Sequence, residues 1–439
     1  MVAQPPSFQS TSAELAEEPN AESAAGSSPP SPSTIAPPRK AWLSALIEHG
    51  PIVVLLIVAA GLRLFRLGEV PGHLIGDEVW YVQASRVLAG VPVLMHHLTG
   101  SALSGFDPNS EHPPLAKVVM AALIRQFGDR EVVWRAPSVV LGVASIWLVY
   151  RIILLLNGTR WQALFGAFIL VFDNLFLIHG RIATLDIYLV TFILFGTWLY
   201  LLSYLELAAV AFAISALCKT NGVLGLLAMF LYEAIMQRSQ WRHPSFRAIG
   251  RRAVVVGLFV GIFLLGLGAL DCFFTEYRSP FAHLQHMLHF HSGLKHTGPS
   301  SGTESTPFQW WLNAGTFDYF FWNGPQHGVE QHYLFRAVMN GYVIFVAPLA
   351  LLYATEQIWT ARSPLATFAV ASLLANFGPI FLVWAIMSRT SYIYYMVPSL
   401  PAIACALALA AFALPPFMRW GFLVLVLYAF GFSFPVRLL

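Results

Sequence analysis

Long apolar runs cut this chain into segments of roughly 17–25 residues, the length that crosses the hydrocarbon core of a bilayer as a helix. They lie near 41–67, 136–156, 162–179, 182–204, 205–218, 221–236, 253–270, 334–353, 365–386, 393–413 and 417–434, about eleven in all. In hydrocarbon a backbone must satisfy its own hydrogen bonds, so such runs become helices. Charged residues make up 11% of the chain and hydrophobic ones 57%, where soluble domains carry about 25% charge. That balance excludes a disordered chain, a coiled coil and a nucleic-acid binder, and it predicts an all-α polytopic membrane protein. The net charge of +3 comes from 25 basic and 22 acidic residues with no sustained basic run, so no nucleic-acid partner is expected. Cys218, Cys272 and Cys405 are far apart and suggest no disulfide framework.

Residues 1–40 are rich in Ser, Pro, Ala and Glu without apolar periodicity and read as a disordered cytoplasmic tail, leaving 41–439 as one membrane domain. Arg39 and Lys40 before the first run hold its start in the cytoplasm by the positive-inside rule. The segment 237–252 carries Arg238, Arg242, Arg247, Arg251 and Arg252 with no acid, as a cytoplasmic loop should. The same count puts two long loops outside, about 68–135 and 271–333, and these hold most of the acids.

In the first outer loop, Gly76-Asp77-Glu78 opens a stretch to Leu88 in which Trp80, Ala84, Val87 and Leu88 share one helical face. An amphipathic interfacial helix is expected there, with Asp77 as its N-cap and its carboxylate kept ionised by the helix dipole. Glu111-His112-Pro113-Pro114-Leu115-Ala116-Lys117 starts a second one, with Leu115, Val118, Val119, Ala122 and Leu123 on one face. Charges in or beside apolar runs cost roughly 2.5–3.5 kcal/mol each and default to a functional reading. Arg63, Arg66, Arg135, Arg181 and Asp186 all fall at outer ends of runs, beside the Asp77 loop, and Lys219 is a further such charge. Snorkelling would explain each alone; their shared depth predicts one outer cavity lined by cations and carboxylates.

At these residues the sequence resembles the protein O-mannosyltransferase family, glycosyltransferase family 39 of the GT-C superfamily, which uses polyprenyl-phosphate sugars. The resemblance rests on Asp77-Glu78, on Glu111 to Lys117, on Arg181-Ile182-Ala183-Thr184-Leu185-Asp186, and on Ser391-Tyr392-Ile393-Tyr394-Tyr395-Met396-Val397-Pro398, in that order over about residues 50–435. Weaker matches are Arg135-Ala136-Pro137-Ser138, Lys219-Thr220-Asn221-Gly222, and Phe290-His291 with Pro307 to Leu312. Trp311 stands where the family places Pro, and the second outer loop is too short for the β-trefoil domain of the eukaryotic enzymes, which resembles a prokaryotic plasma-membrane member.

The resemblance implies a GT-C fold and transfer of a sugar, mannose by this likeness, from a polyprenyl phosphate to Ser or Thr of secreted or membrane proteins on the outer face. A phosphate leaves readily once its growing charge is neutralised, so cations matter: Arg135 first, Arg63 second, with Lys117 and Arg181. The acceptor hydroxyl needs a base, and Asp77 is the candidate, with Glu78 orienting base or acceptor. Glu111, His112, Asp186, His291, Trp310, Tyr394 and Tyr395 are the implied substrate-binding residues, although Tyr392, Tyr394 and Tyr395 also suit an aromatic belt at the interface. One base and a phosphate clamp imply inversion. Adjacent carboxylates such as Asp77 and Glu78 cannot easily flank a glycosidic bond, which argues against a glycosidase.

No cofactor is expected, the lipid-linked sugar being a substrate. His283 and His286 could share a helical face for a divalent metal, but a wet rim of the active site suits the cluster His283, His286, His289, His291 and His296 better. A GT-C transferase acting on a lipid or wall glycan, and a non-enzymatic transporter or scaffold, are the competing readings; a dimer is compatible with the sequence.

Overall fold

A computed structural model describes residues 38–70, 74–93, 105–240, 246–295, 302–326 and 329–438. Residues 49–439 form one compact unit; below Glu48 only the start of the first helix is described, so residues 1–37 of the expected tail lie outside the described residues. The helices are α1 (Pro38–Leu64), α2 (Glu78–Ala89), α3 (Leu115–Phe127), α4 (Glu131–Leu155), α5 (Arg160–Val171), α6 (Asn174–His179), α7 (Leu185–Leu201) and α8 (Leu205–Cys218). They continue with α9 (Val223–Met236), α10 (Phe246–Phe274), α11 (Pro280–Gly293), α12 (Pro307–Trp311), α13 (Gly341–Thr360), α14 (Pro364–Met387), α15 (Leu400–Ala411) and α16 (Pro416–Phe432).

Each apolar run read from the sequence overlaps a helix over most of its length. Among the described residues, five stretches are long and apolar enough to cross a membrane: Glu131–Leu155, Ile249–Phe274, Gly341–Thr360, Pro364–Met387 and Ile393–Ala411. Six shorter apolar helices, from His49–Leu64 to Pro416–Phe432, pack among them. α7 and α15 are buried along most of their length, whereas Leu265, Phe345 and Ile386 stand 77%, 77% and 78% exposed. Large aliphatic and aromatic side chains turned outward at that density are at home against lipid, which makes this an integral membrane protein.

The segments after α12 and at the chain's end differ from the all-α expectation. β1 (Phe317–Gln326) and β2 (Val329–Ala337) form an antiparallel hairpin, extended by β3 (Val436–Leu438) on the far side of β2. The run expected from 334 therefore starts as strand, and the helix begins only at Gly341, capped by Asn340. Tyr333, Phe335 and Val436 bury against Val70, Ile75, Ile178 and Ile182 in a small satellite core, which fixes the hairpin over the loops leading into α2 and α7.

α2 and α3 occupy the expected places, packed on each other. α2 ends at Gly90, whose φ of 76° is the left-handed C-cap that glycine adopts without strain. α3 buries Ala116, Lys117, Met120, Ala121 and Ile124 inward and leaves Val119 and Ala122 exposed. The expected apolar face is thus its outward one.

Candidate active site

Asp77 holds the expected N-cap position of α2, but its side chain does not cap the helix. Its backbone is already helical (φ −67°, ψ −4°) and its side chain makes no cap hydrogen bond. Among the described residues no group donates a hydrogen bond to that carboxylate. Half-buried between Lys219 and Asp186, it is pushed up to about 6, first by burial, with Lys219 pulling it down and Asp186 pushing it up. The expected dipole-stabilised cap is therefore corrected: this is a carboxylate held ready for a proton.

Glu78, its neighbour, is the opposite case. It is fully buried and accepts from Arg135 Nε at 2.9 Å and Nη2 at 2.7 Å, from the Ile75 N–H at 2.9 Å and from the Ala183 N–H at 2.8 Å. With both oxygens saturated it orients the Asp77 loop against the start of α7 and is not exposed to a substrate. The same bonds correct the reading of Arg135: it is 1% exposed, donates also to the Leu67 carbonyl at 2.9 Å, and serves as a strut for Glu78.

The other nominated cations are buried likewise. Lys117 is wholly buried, 2.5 Å from Asp107 and hydrogen-bonded to the Asn109 carbonyl. Arg181 donates to the Phe65 carbonyl at 2.8 Å and lies over Phe335. Arg63 lies buried over Phe176, in a slot that Gly142 and Gly180 leave open; a Cβ at Gly180 would come within 2.6 Å of its Nε. All three stand off the site as framework, because each guanidinium or ammonium is closed in by protein atoms.

Two further cations lie beside the nominated residues, Lys219 near Asp77 and Arg389 at His291. Lys219, in extended backbone between α8 and α9, donates to Asp186 at 2.7 Å and sits under the Tyr394 and Tyr395 rings. Arg389, between α14 and the tyrosine motif, is half-buried and points Nη2 at His291 Nδ1, 3.1 Å away. Its Nε is buried without a partner among the described residues. It borders a cleft of about 670 Å³ lined also by Ser305, Thr306, Gln309, Trp384 and Ser391. Lys219 was visible in the sequence as a charge inside an apolar run. Arg389 was missed, and a cation stranded between an apolar helix and the tyrosines was the signal for it.

The structure brings together most of the residues implied as substrate-binding. Asp186 is held by Lys219 and lies 3.8 Å from His179, which also bonds Thr184 and the Tyr319 hydroxyl, both at 3.0 Å. Tyr394 packs beside His179 and Tyr319, with Tyr392 stacked on it, so these tyrosines form a wall of the site. His112 lies 5.0 Å from the His291 ring and 6.2 Å from Tyr81. Burial pushes His112 well below its usual range, helped by Lys219, and brings His291 down to about 4, helped by Arg389. Neutral His291 then has one tautomer: Nδ1 accepts from Arg389, and Nε2–H donates to the Glu111 carbonyl at 3.0 Å. Glu111 accepts from Asn109 Nδ2 at 2.6 Å.

Trp310 is corrected. It is wholly buried, donates to Ser305 at 2.9 Å and packs on Phe377 and Tyr395, behind the wall and not in it. No group of three or more His, Cys, Asp or Glu is arranged to hold a metal ion among the described residues, and His296 lies outside them. His283 and His286 both reach Ser110, the first through its carbonyl and the second through its hydroxyl.

Residues 111–264 match the family described as dolichyl-phosphate-mannose-protein mannosyltransferase. A polyprenol-phosphate-mannose–protein mannosyltransferase of Corynebacterium glutamicum is 26% identical over 179 residues, 40% of this chain and 32% of that one, so the match spans about a third of that relative. Among solved structures, the Saccharomyces cerevisiae Pmt1-Pmt2 complex bound to the sugar donor is similar with TM-score 0.67 at 12% identity, covering 90% of this chain and 91% of that one. ArnT from Cupriavidus metallidurans bound to undecaprenyl phosphate is similar with TM-score 0.53 at 18% identity, covering 88% and 62%. At such identities the structures show the fold alone, which is GT-C, and over residues 111–264 the chain is similar to the protein O-mannosyltransferase family.

Proposed function

We propose that this protein transfers a sugar, mannose by its likeness to the mannosyltransferase family, from a polyprenyl phosphate to a Ser or Thr hydroxyl of secreted or membrane proteins, on the extracytoplasmic side of a prokaryotic plasma membrane. The observation that carries the reading is the Asp77 carboxylate: free of hydrogen bonds among the described residues, close to neutrality in its proton affinity, and enclosed with Lys219 by tyrosines and histidines. A hydroxyl entering there gives its proton to Asp77 as its oxygen bonds to the sugar's anomeric carbon. The bond from that carbon to the phosphate oxygen breaks, and the lipid phosphate leaves with the electron pair. Lys219 and Arg389 supply positive charge where this negative charge grows, taking the role first given to Arg135, Arg63, Lys117 and Arg181. One displacement inverts the anomeric carbon. Glu78 and Arg135 hold the base in place, and neutral His291 holds Arg389.

The test is transfer of labelled mannose from polyprenyl-phosphate-mannose to a Ser/Thr-rich peptide by the purified protein in lipid. Asp77→Asn is expected to lower turnover about 100- to 10,000-fold with donor binding kept, and Arg389→Ala to weaken donor binding and turnover by roughly 100-fold. A retained anomer in the product sinks the single displacement. Donor binding without transfer to peptide moves the acceptor to a lipid or glycan, a reading that Trp311 at the family's Pro position keeps in view. No donor binding removes the transferase assignment.

A further inference from the structure

α11 fastens the loop that carries Glu111 and His112 through two histidines, and the two are bonded in different ways. His291 stands between a donor, Arg389, and an acceptor, the Glu111 carbonyl. His283, two turns earlier and wholly buried, stands between two acceptors: its Nδ1 lies 2.6 Å from Asp271 Oδ1 and its Nε2 lies 2.9 Å from the Ser110 carbonyl. A carbonyl can only accept, so Nε2 carries a proton. The 2.6 Å contact at Nδ1 demands a second proton between nitrogen and carboxylate.

The surroundings say which side holds it. Thr275 Oγ1 accepts from the Tyr277 N–H at 3.2 Å, and its own hydrogen has two acceptors in reach, Asp271 Oδ1 at 3.0 Å and the Asp271 carbonyl at 3.4 Å, of which the carboxylate oxygen is the nearer. A hydrogen bond donated to the carboxylate favours its ionised form. The Tyr277 ring lies flat on the imidazole, centroids 4.4 Å apart and planes 7° apart, presenting the π-face that favours a cation. The other charges near His283 are Asp107 from the first outer loop, already paired with Lys117, and the neighbouring His286. With His283 cationic, Lys117, Asp107, His283 and Asp271 form two closed pairs with no net charge, the arrangement a buried cluster requires.

We propose that His283 is a doubly protonated imidazolium which, paired with Asp271 at the end of α10, pins the Ser110 carbonyl and so positions Glu111 and His112. It is a positioning residue, acting through the backbone of residues 107–112. The inference stands on hydrogen-bond geometry and holds whether or not the protein is a mannosyltransferase.

The experiment uses the full chain in nanodiscs with ¹⁵N-labelled histidine side chains, together with hydrogen exchange of the 107–112 amides. Wild type is expected to show one buried histidine with both ring nitrogens protonated at pH 7.5. In Asp271→Asn the amide NH₂ can donate to Nδ1 of a neutral ring. That imidazolium signal should therefore vanish while exchange at 107–112 stays slow. Asp271→Ala, which offers no partner, should lose the signal and speed exchange there by roughly tenfold or more. Absence of the imidazolium in wild type, with a protonated carboxyl in its place, overturns the proposal, and so does an imidazolium that persists in Asp271→Asn. Should Asp271→Ala fail to fold, wild type and Asp271→Asn still decide it.

Discussion

A buried charge is tolerated only where something answers it, and the outer ends of these helices show two kinds of answer. Arg135 and Glu78 answer each other, and breaking one side of such a pair leaves an uncompensated ion at a cost of about 3–5 kcal/mol. Arg135→Met is expected to destabilise by that order, and Arg135→Met with Glu78→Gln to recover part of it; thermal unfolding of the protein in lipid measures both. Asp77 is answered only at a distance, and its proton affinity is raised, to about 6 from 3.8. The folded state therefore binds more protons than the unfolded one between those values, so stability falls as pH rises through that window and stays lower above it. Asp77→Asn should accordingly raise the melting temperature at pH 7.5 while lowering transfer about 100- to 10,000-fold. In wild type, transfer should fall as pH drops through about 6, because a base must be ionised to act. A sequence shows which residues are charged near a bilayer surface, not which are already paired. That is why Asp77 was legible as a candidate and why Arg135, Arg63, Lys117 and Arg181 were nominated for a role their surroundings do not leave open.

Elements fared according to the clarity of their period. α2 was readable from the spacing of its apolar face and from Gly90 at its end, and α3 from two prolines before an apolar repeat. The β1–β2 hairpin was not, because its strands lack a clean apolar–polar alternation and its second strand runs on toward an apolar helix, so that hydropathy merges the two. Yet the hairpin matters to the site. The Gly76 N–H donates to the Tyr319 carbonyl at 3.3 Å, and Gly76 has φ +55° with no room for a Cβ, which would fall 2.5 Å from the Tyr319 ring. Gly76→Ala is expected to strain the turn and lift the hairpin from the Asp77 loop, at about 1–3 kcal/mol. Turnover should drop roughly tenfold or more with little change in donor affinity, as measured in the transfer assay and by donor titration.

At the scale of the molecule, the proposed topology, read from charge, puts the arginine-rich segment before α10 inside and both long loops outside. In a chain freed of its three native cysteines, Ser292→Cys at the end of α11 should react with a membrane-impermeant maleimide added to intact cells. Arg362→Cys, between α13 and α14, should react only after lysis; the reverse pattern inverts the topology. Hydropathy and charge along the chain are enough to specify a polytopic helical protein, the positions of its helices and the region where its chemistry gathers, because each depends on residues within a few turns of one another. Partner choice among Glu78, Arg135, Lys117, Asp107, Lys219 and Asp186 depends on side chains 10 to more than 50 positions apart in sequence. No local pattern encodes such pairings. Packing alone separates the charges closed into the framework from Asp77, Lys219 and Arg389, to which the proposed function gives the substrate.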